Sequence, residues 1–184
     1  MERANAIETI CSIEITKLTN EERENLLLSW WCIDEEDIEF SRLSSDLQVE
    51  VLKHDEFPKD YMNTKYDLLL METLKYNYKG VKNEYIEKQI LTLTGTTVTV
   101  VGEPQLLWTC QCCRYRTLSE RREYSVCPVC LWEDDGNDDN SLQKFSVPNN
   151  MTLFEARIAF AKRENTDLKI IDLCERYYRD DKSD

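Results

Sequence analysis

Apolar residues recur at helical spacing through most of the first hundred positions, and polar residues fill the intervals. Thr19 and Glu22 stand at capping-box spacing ahead of Leu26, Leu27, Trp30 and Trp31, which form one apolar face. A short capped helix follows from about Ser45 to His54, and Pro58 interrupts. Asn63 or Thr64 is placed to cap a longer helix. Its face carries Tyr66, Leu69, Leu70, Thr73, Leu74 and Asn77, and Gly80 ends it. Tyr85, Ile86, Gln89, Ile90 and Leu93 then share a face before Gly95. These segments predict a small helical bundle. At Thr96 the pattern changes: β-branched residues run to Val101, and Gly102 and Pro104 stop them. Gln105–Thr109 and Arg122–Val126 are two further strand candidates. Residues 141–150 read as extended. A helix capped by Asn150 or Thr152 follows, with Leu153, Ala156, Arg157 and Phe160 close together. A last helix over about Asp167–Tyr178 repeats Leu168, Ile171 and Cys174, and residues 179–184 read as a frayed end.

Between Thr109 and Gly136 lie five of the eight cysteines. Cys110-x-x-Cys113 and Cys127-x-x-Cys130 are two pairs of thiol donors with thirteen residues between them. A tetrahedral zinc ion takes four such ligands at about 2.3 Å, and two intervening residues let one tight turn aim both sulfurs at one point. Residues 115–118 and 122–126, with Ser119–Arg122 at the tip, predict a hairpin linking the two turns, as in a zinc ribbon. Cys112 is then surplus. Schemes that use it as a ligand, or that make Cys110, Cys112 or Cys113 a redox thiol, stay open. Four cysteines fill the shell, so the ion is structural rather than catalytic. The only histidine, His54, lies more than fifty residues upstream. The fold class that follows is α+β. A helical region spans residues 1–102, and a small zinc-ribbon hairpin with C-terminal helices spans residues 103–184.

Charge adds a direction to the picture. The chain of 184 residues carries 23 basic and 36 acidic side chains, a net charge of −13. Residues 1–104 hold 11 basic against 21 acidic groups, and residues 105–184 hold 12 against 15. Such a chain repels polyanions and speeds encounter with a basic protein, so nucleic acid is not the expected partner. The longest apolar runs fall far below the ~20 residues needed to span a bilayer, and the start lacks a signal-peptide pattern. These features predict a cytoplasmic protein with reduced thiols and no membrane partner.

The stretches "CQCCRYRTL" (Cys110–Leu118), "CPVCLWEDD" (Cys127–Asp135) and "NNMTLFEAR" (Asn149–Arg157) together resemble the cysteine-rich CPCC family of bacterial proteins. The likeness covers about Trp108–Asn165. Gln111 stands where the family has proline, and Arg114 where it has glycine. If that position is left-handed, Arg114 carries a modest strain. The resemblance implies one bound zinc ion, and an immunity role beside a bacterial toxin. The helical first half is similar to the extension of longer members.

Two acidic runs are candidate partner surfaces. Asp34, Glu35, Glu36, Asp37 and Glu39 sit beside Trp30 and Trp31, and Glu133, Asp134 and Asp135 follow Trp132. Either run can be a decoy for a toxin's basic cleft or simply solvated, and the second invites a calcium reading although it lacks EF-hand spacing. Cys11, Cys32 and Cys174 read as small core residues, and His54 as a surface or C-capping residue. No phosphate loop or nucleophile elbow is present. The expectation is a non-enzymatic immunity protein that occludes a cognate toxin. The alternative is a zinc-ribbon adaptor for nucleic acid or transcription, using Arg114, Arg116, Arg121 and Arg122.

Overall fold

Chain entry is set by backbone pairing rather than by side-chain pattern. The amide of Arg3 donates to the Val101 carbonyl (2.8 Å), and the Val101 amide to the Met1 carbonyl (3.0 Å), which fixes the start of α1 (Arg3–Lys17). The computed structural model describes residues 1–53 and 57–180. His54 therefore lies outside the described residues. Two compact units result: Met1–Tyr78 with Ile86–Gly102, and Lys79–Tyr85 with Glu103–Asp184. The class is α+β, with seven α-helices and two two-stranded antiparallel sheets among the described residues.

In the first unit, α1 and α2 (Asn20–Trp30) pack on α4 (Asp67–Tyr76), with α3 (Ser45–Lys53) between them in sequence. The start of α2 is settled locally. Thr19 Oγ1 accepts from the Glu22 amide (3.2 Å), and the Glu22 carboxylate accepts from the Thr19 amide (2.9 Å). The core gathers Leu27, Trp31, Phe40, Leu47, Tyr66, Leu69 and Leu70. Trp31 meets Phe57 and Tyr66 edge-on, at 5.7 and 5.8 Å between ring centroids. Arg23 is buried with them. It donates to the carbonyls of Tyr61 and Asn63 (2.9 Å each) and to Asp67 (2.7 Å), so one guanidinium closes the turn that enters α4.

Two readings of this half are corrected, and one helix is added to the helical half that was expected. Helix α1 is long, yet it buries only Ala6, Ile10 and Cys11, too few for the pattern to announce it. The β-branched run from Thr96 makes no strand. Only Val101 forms a bridge, to Glu2, because no neighbouring strand supplies a ladder. Cys32 is exposed, not core: past the end of α2, Trp31 and Ile33 turn inward and the residue between them turns out.

The second unit is assembled from very short strands. β1 (Trp108–Thr109) pairs with β2 (Arg116–Leu118), and β3 (Phe145–Ser146) with β4 (Met151–Thr152). The chain end adds to them. Tyr177 bridges to Val81, Arg179 bridges to Tyr115, and the Asp180 amide donates to the Arg114 carbonyl (3.0 Å). Arg179 and Asp180 are thus placed by pairing rather than frayed, and residues 181–184 lie outside the described residues. Helix α5 (Asn83–Thr94), which from Ile86 onward belongs to the first unit, stops at Gly95, which has φ +71°. Helix α6 (Leu153–Arg163) starts on a second capping box, Thr152 with Glu155, and buries Leu153, Ala156 and Phe160. Helix α7 (Leu168–Arg176), capped by Asp167, buries Ile170; Leu168 is exposed, so the inward face lies two residues on from the one the pattern suggested.

Candidate metal centre

Each Cys-x-x-Cys turn closes on itself. The Cys110 amide donates to the Tyr115 carbonyl (2.9 Å), and the Arg114 amide to the Cys110 carbonyl (3.0 Å). At the second turn, the Cys127 amide donates to the Trp132 carbonyl (2.9 Å), and the Leu131 amide to the Cys127 carbonyl (2.8 Å). The two loops share one geometry, down to a left-handed residue just after the second cysteine: Arg114 at φ 69° and Leu131 at φ 65°. The strain foreseen at Arg114 is therefore present, with a twin at Leu131 that its side chain gave no reason to expect. The linking hairpin is corrected. β1 and β2 flank the first turn, a Val126–Glu133 bridge flanks the second, and Arg122–Val126 forms no strand across to residues 115–118. Each turn closes its own backbone hydrogen bonds.

The four sulfurs of Cys110, Cys113, Cys127 and Cys130 lie within 4.8 Å of one another. Cys110–Cys130 and Cys113–Cys127 are each 3.6 Å apart. A tetrahedron with metal–sulfur bonds of about 2.3 Å has edges of about 3.8 Å, so the sulfurs stand where one ion would hold them. The first three are buried and Cys130 is partly exposed. Among the described residues, this is the one cluster of three or more His, Cys, Asp or Glu side chains placed to hold an ion. Electrostatics agree. Hydrogen bonds to Cys110, Cys127 and Cys130, and then burial, push the Cys113 thiol far above its ordinary range. Burial pushes Cys127 upward too, but bonds from Cys110, Cys113, Cys130 and Thr117 outweigh it and draw that thiol down. Four thiolates in so small a volume repel one another, and a dication is what would accommodate them. Thr117 Oγ1, 3.1 Å from Cys127 Sγ, is a hydrogen-bond partner for that ligand.

Residues outside the cysteines fix the loops. Arg157 on α6 donates twice to the Gln111 carbonyl (2.9 and 2.7 Å) and once to Asp139 (2.7 Å). Arg114 grips both oxygens of the same Asp139 (2.7 and 2.9 Å). The Arg114 and Arg157 guanidiniums draw the Asp139 carboxyl down to about 2, although partial burial opposes them. At the second loop, Asn149 mimics a strand. Its side chain accepts from the Glu133 amide (2.8 Å) and donates to the Glu133 carbonyl (2.9 Å). Asp134 is wholly buried. Its carboxylate accepts from Arg121 Nε (2.6 Å) and from the Arg122 amide (2.9 Å). Arg122 and Tyr124 both have positive φ, at 67° and 58°, so that carboxylate pins a strained approach to Cys127. Sequence spacing gave no hint of these contacts, because the partners lie 12 to 46 residues apart.

The proposed partner surfaces divide. Asp34, Glu35, Glu36 and Asp37 are exposed, while Glu39 and Trp30 are partly exposed. Trp31 is core and Asp134 is buried, so neither belongs to a free surface; apolar packing claims the first and Arg121 the second. Glu133 and Asp135 are partly exposed, and Asp135 caps the following turn through the Asn137 amide (3.1 Å). That acidic stretch is spent on turn-building, which answers the calcium reading. Cys174 is partly exposed and Cys11 fully buried, where burial and the nearby Glu14 push the Cys11 thiol up to about 12.

Two local turns bringing four thiols to one point on a mixed α/β support define a cysteine-rich metal-binding domain. Residues 108–179 match the family described as cysteine-rich CPCC. No curated protein and no solved structure matches the chain. No helix among the described residues is long and apolar enough to cross a membrane.

Proposed function

We propose that the chain is a cytoplasmic, non-enzymatic bacterial immunity protein that binds and occludes a cognate toxin, held in shape by one structural zinc ion. Four soft donors with tetrahedral spacing suit zinc, and a filled sulfur shell gives the ion a folding role. The observation that carries the binding role is a preformed acidic loop. The Asp34 amide donates to Asp37 (3.0 Å), and the Glu36 amide to Asp34 (2.9 Å), so the run is fixed in advance. Ile38, 73% exposed, stands at its end. Beside it is a cleft of about 270 Å³ walled by Trp30, Ile33 and Tyr76 and rimmed by Asp37 and Glu39. An aromatic wall under an acidic rim suits a lysine or arginine side chain from a basic partner. Preorganisation lowers the ordering cost of association, and the family resemblance supplies the toxin as the expected partner.

The nucleic-acid reading has less support. Arg114, Arg116 and Arg121 are engaged by Asp139, Asp180 and Asp134 at 2.6–2.7 Å, which neutralises most of the basic cluster it requires.

Charge reversal tests the proposal. Asp34→Lys with Asp37→Lys is expected to slow association with the toxin product of an adjacent gene by about 10- to 100-fold at low salt. Rescue in co-expression should weaken in parallel, with bound metal unchanged. Failure of any adjacent product to bind or to be toxic sinks the reading, and an unchanged association rate removes this surface from it.

A further inference from the structure

Trp132 carries a donor with nothing to donate to. The residue is 2% exposed. Its indole Nε1 is the one buried side-chain nitrogen or oxygen without a hydrogen-bond partner among the described residues. Buried polar atoms are ordinarily paired, and an unpaired one costs stability. The backbone here leaves the ring little freedom to turn away. The Trp132 carbonyl accepts from the Cys127 amide (2.9 Å), and both backbone groups of Glu133 are held by Asn149 (2.8 and 2.9 Å).

The same indole lines a cleft of about 320 Å³, whose walls include Met151, Ala156, Ala159 and Phe160. Leu131, 67% exposed, carries the apolar lining out to the surface. That volume is at the lower end for small-molecule sites, which combine apolar walls with a few placed polar groups. Two charged residues also line the cleft. Arg163 is already paired with Asp167 (3.2 Å), while Glu133 adds negative charge. Together with the net charge of −13, this disfavours an anionic ligand.

We propose that the cleft binds a small, neutral, apolar compound bearing a carbonyl oxygen, which accepts the Trp132 indole N–H. A neutral carbonyl supplies the missing acceptor without bringing charge among apolar walls. The N–H is shielded from water, so the ligand oxygen meets no competing solvent there. Met151, unbranched and 36% exposed, is the wall side chain suited to yield and admit it. Neither the acidic loop nor a toxin is required.

The test titrates the ¹⁵N-labelled full chain, as purified, with two probes of one shape. These are acetophenone and α-methylstyrene, in which CH2 replaces the carbonyl oxygen. Acetophenone is expected to bind at least about tenfold tighter, since the buried donor is satisfied in that complex alone. Four tryptophans give four indole signals. The one that Trp132→Phe removes should shift as acetophenone saturates the chain. In Trp132→Phe the two probes should bind about equally. Ala159 is exposed on α6 and lines the cleft, so Ala159→Phe should block both probes without touching the core. Benzoate, which brings a charge, should bind at least about tenfold more weakly than acetophenone. Equal affinity of the two probes for the unaltered chain, binding of neither up to its solubility limit, or discrimination that survives in Trp132→Phe would overturn the site. Benzoate binding as tightly as acetophenone would overturn the neutral class. The probe comparison uses the unaltered chain, so it decides even where Trp132→Phe fails to fold.

Discussion

Cys113→Ser is expected to abolish metal binding and leave the second unit without a fixed fold. Serine is a hard, neutral oxygen donor in a site built for thiolate, and Cys113 is almost wholly enclosed. The scale of the effect follows from what else holds this unit. Its strands run two or three residues each, and its buried apolar set is short, with Leu107, Leu118, Val129, Trp132, Leu153 and Phe160 prominent. A core that small gives only a few kcal/mol. A four-thiolate zinc site contributes on the order of 10–16 kcal/mol of apparent binding free energy. The ligand therefore outweighs the rest of the unit, and its loss should not be absorbed. Helices of the first unit keep their own core around Leu27, Tyr66, Leu69 and Leu70. Circular dichroism should accordingly retain much of its helical signal, while amide resonances from residues 105–180 collapse toward the centre of the spectrum. Cys112→Ser is the matched control and should bind metal normally, at a cost of about 1 kcal/mol for its partly enclosed thiol. A Cys113→Ser chain that binds one zinc as tightly as the unaltered chain would refute this account of the fold.

Asp134→Ala should be the most damaging change outside the cysteines. Its carboxylate is inaccessible to water and serves both the Arg121 side chain and the Arg122 amide. Removing it orphans a buried donor, and it releases a loop that holds two non-glycine residues at positive φ. Breaking one side of a buried ion pair costs about 3–5 kcal/mol. Arg121 keeps some contact with water, 23% exposed at its side chain, which moves the expectation toward the lower end. Denaturation of the zinc-loaded chain should show a loss of about 3 kcal/mol in the second unit. Asp134→Asn should fall between the two, because an amide oxygen can still accept from Arg122. If Asp134 instead served a partner surface, Asp134→Ala would weaken toxin binding and leave the melting curve unmoved.

Asp134 also shows where the sequence is hard to read. In "WEDDGNDD" five carboxylates look alike, and an acidic run ordinarily faces water. What distinguishes this one is Arg121, thirteen residues earlier, and nothing in local pattern couples the two. Trp30 and Trp31 present the same difficulty, since an adjacent pair at a helix end gives no sign of which ring turns inward. Signals contained within a few residues are legible. Thr19 with Glu22, Thr152 with Glu155, and each Cys-x-x-Cys turn are all closed by bonds that span at most five residues. The strand reading of Thr96–Val101 fails for the complementary reason: β-branched residues suit a strand, but only a partner makes one. The clamp of Arg157 on Gln111 spans 46 residues and belongs to the same class of contact. It becomes visible only once α6 lies beside the first turn.

The closed sulfur site is the claim on which the rest depends. X-ray absorption at the zinc edge of the loaded full chain reads it directly. Four sulfur scatterers at about 2.3 Å, with no nitrogen or oxygen shell, is the result this account predicts. A fit requiring a water, carboxylate or imidazole donor near 2.0–2.1 Å, or fewer than four sulfurs, would contradict it and reopen the site to chemistry.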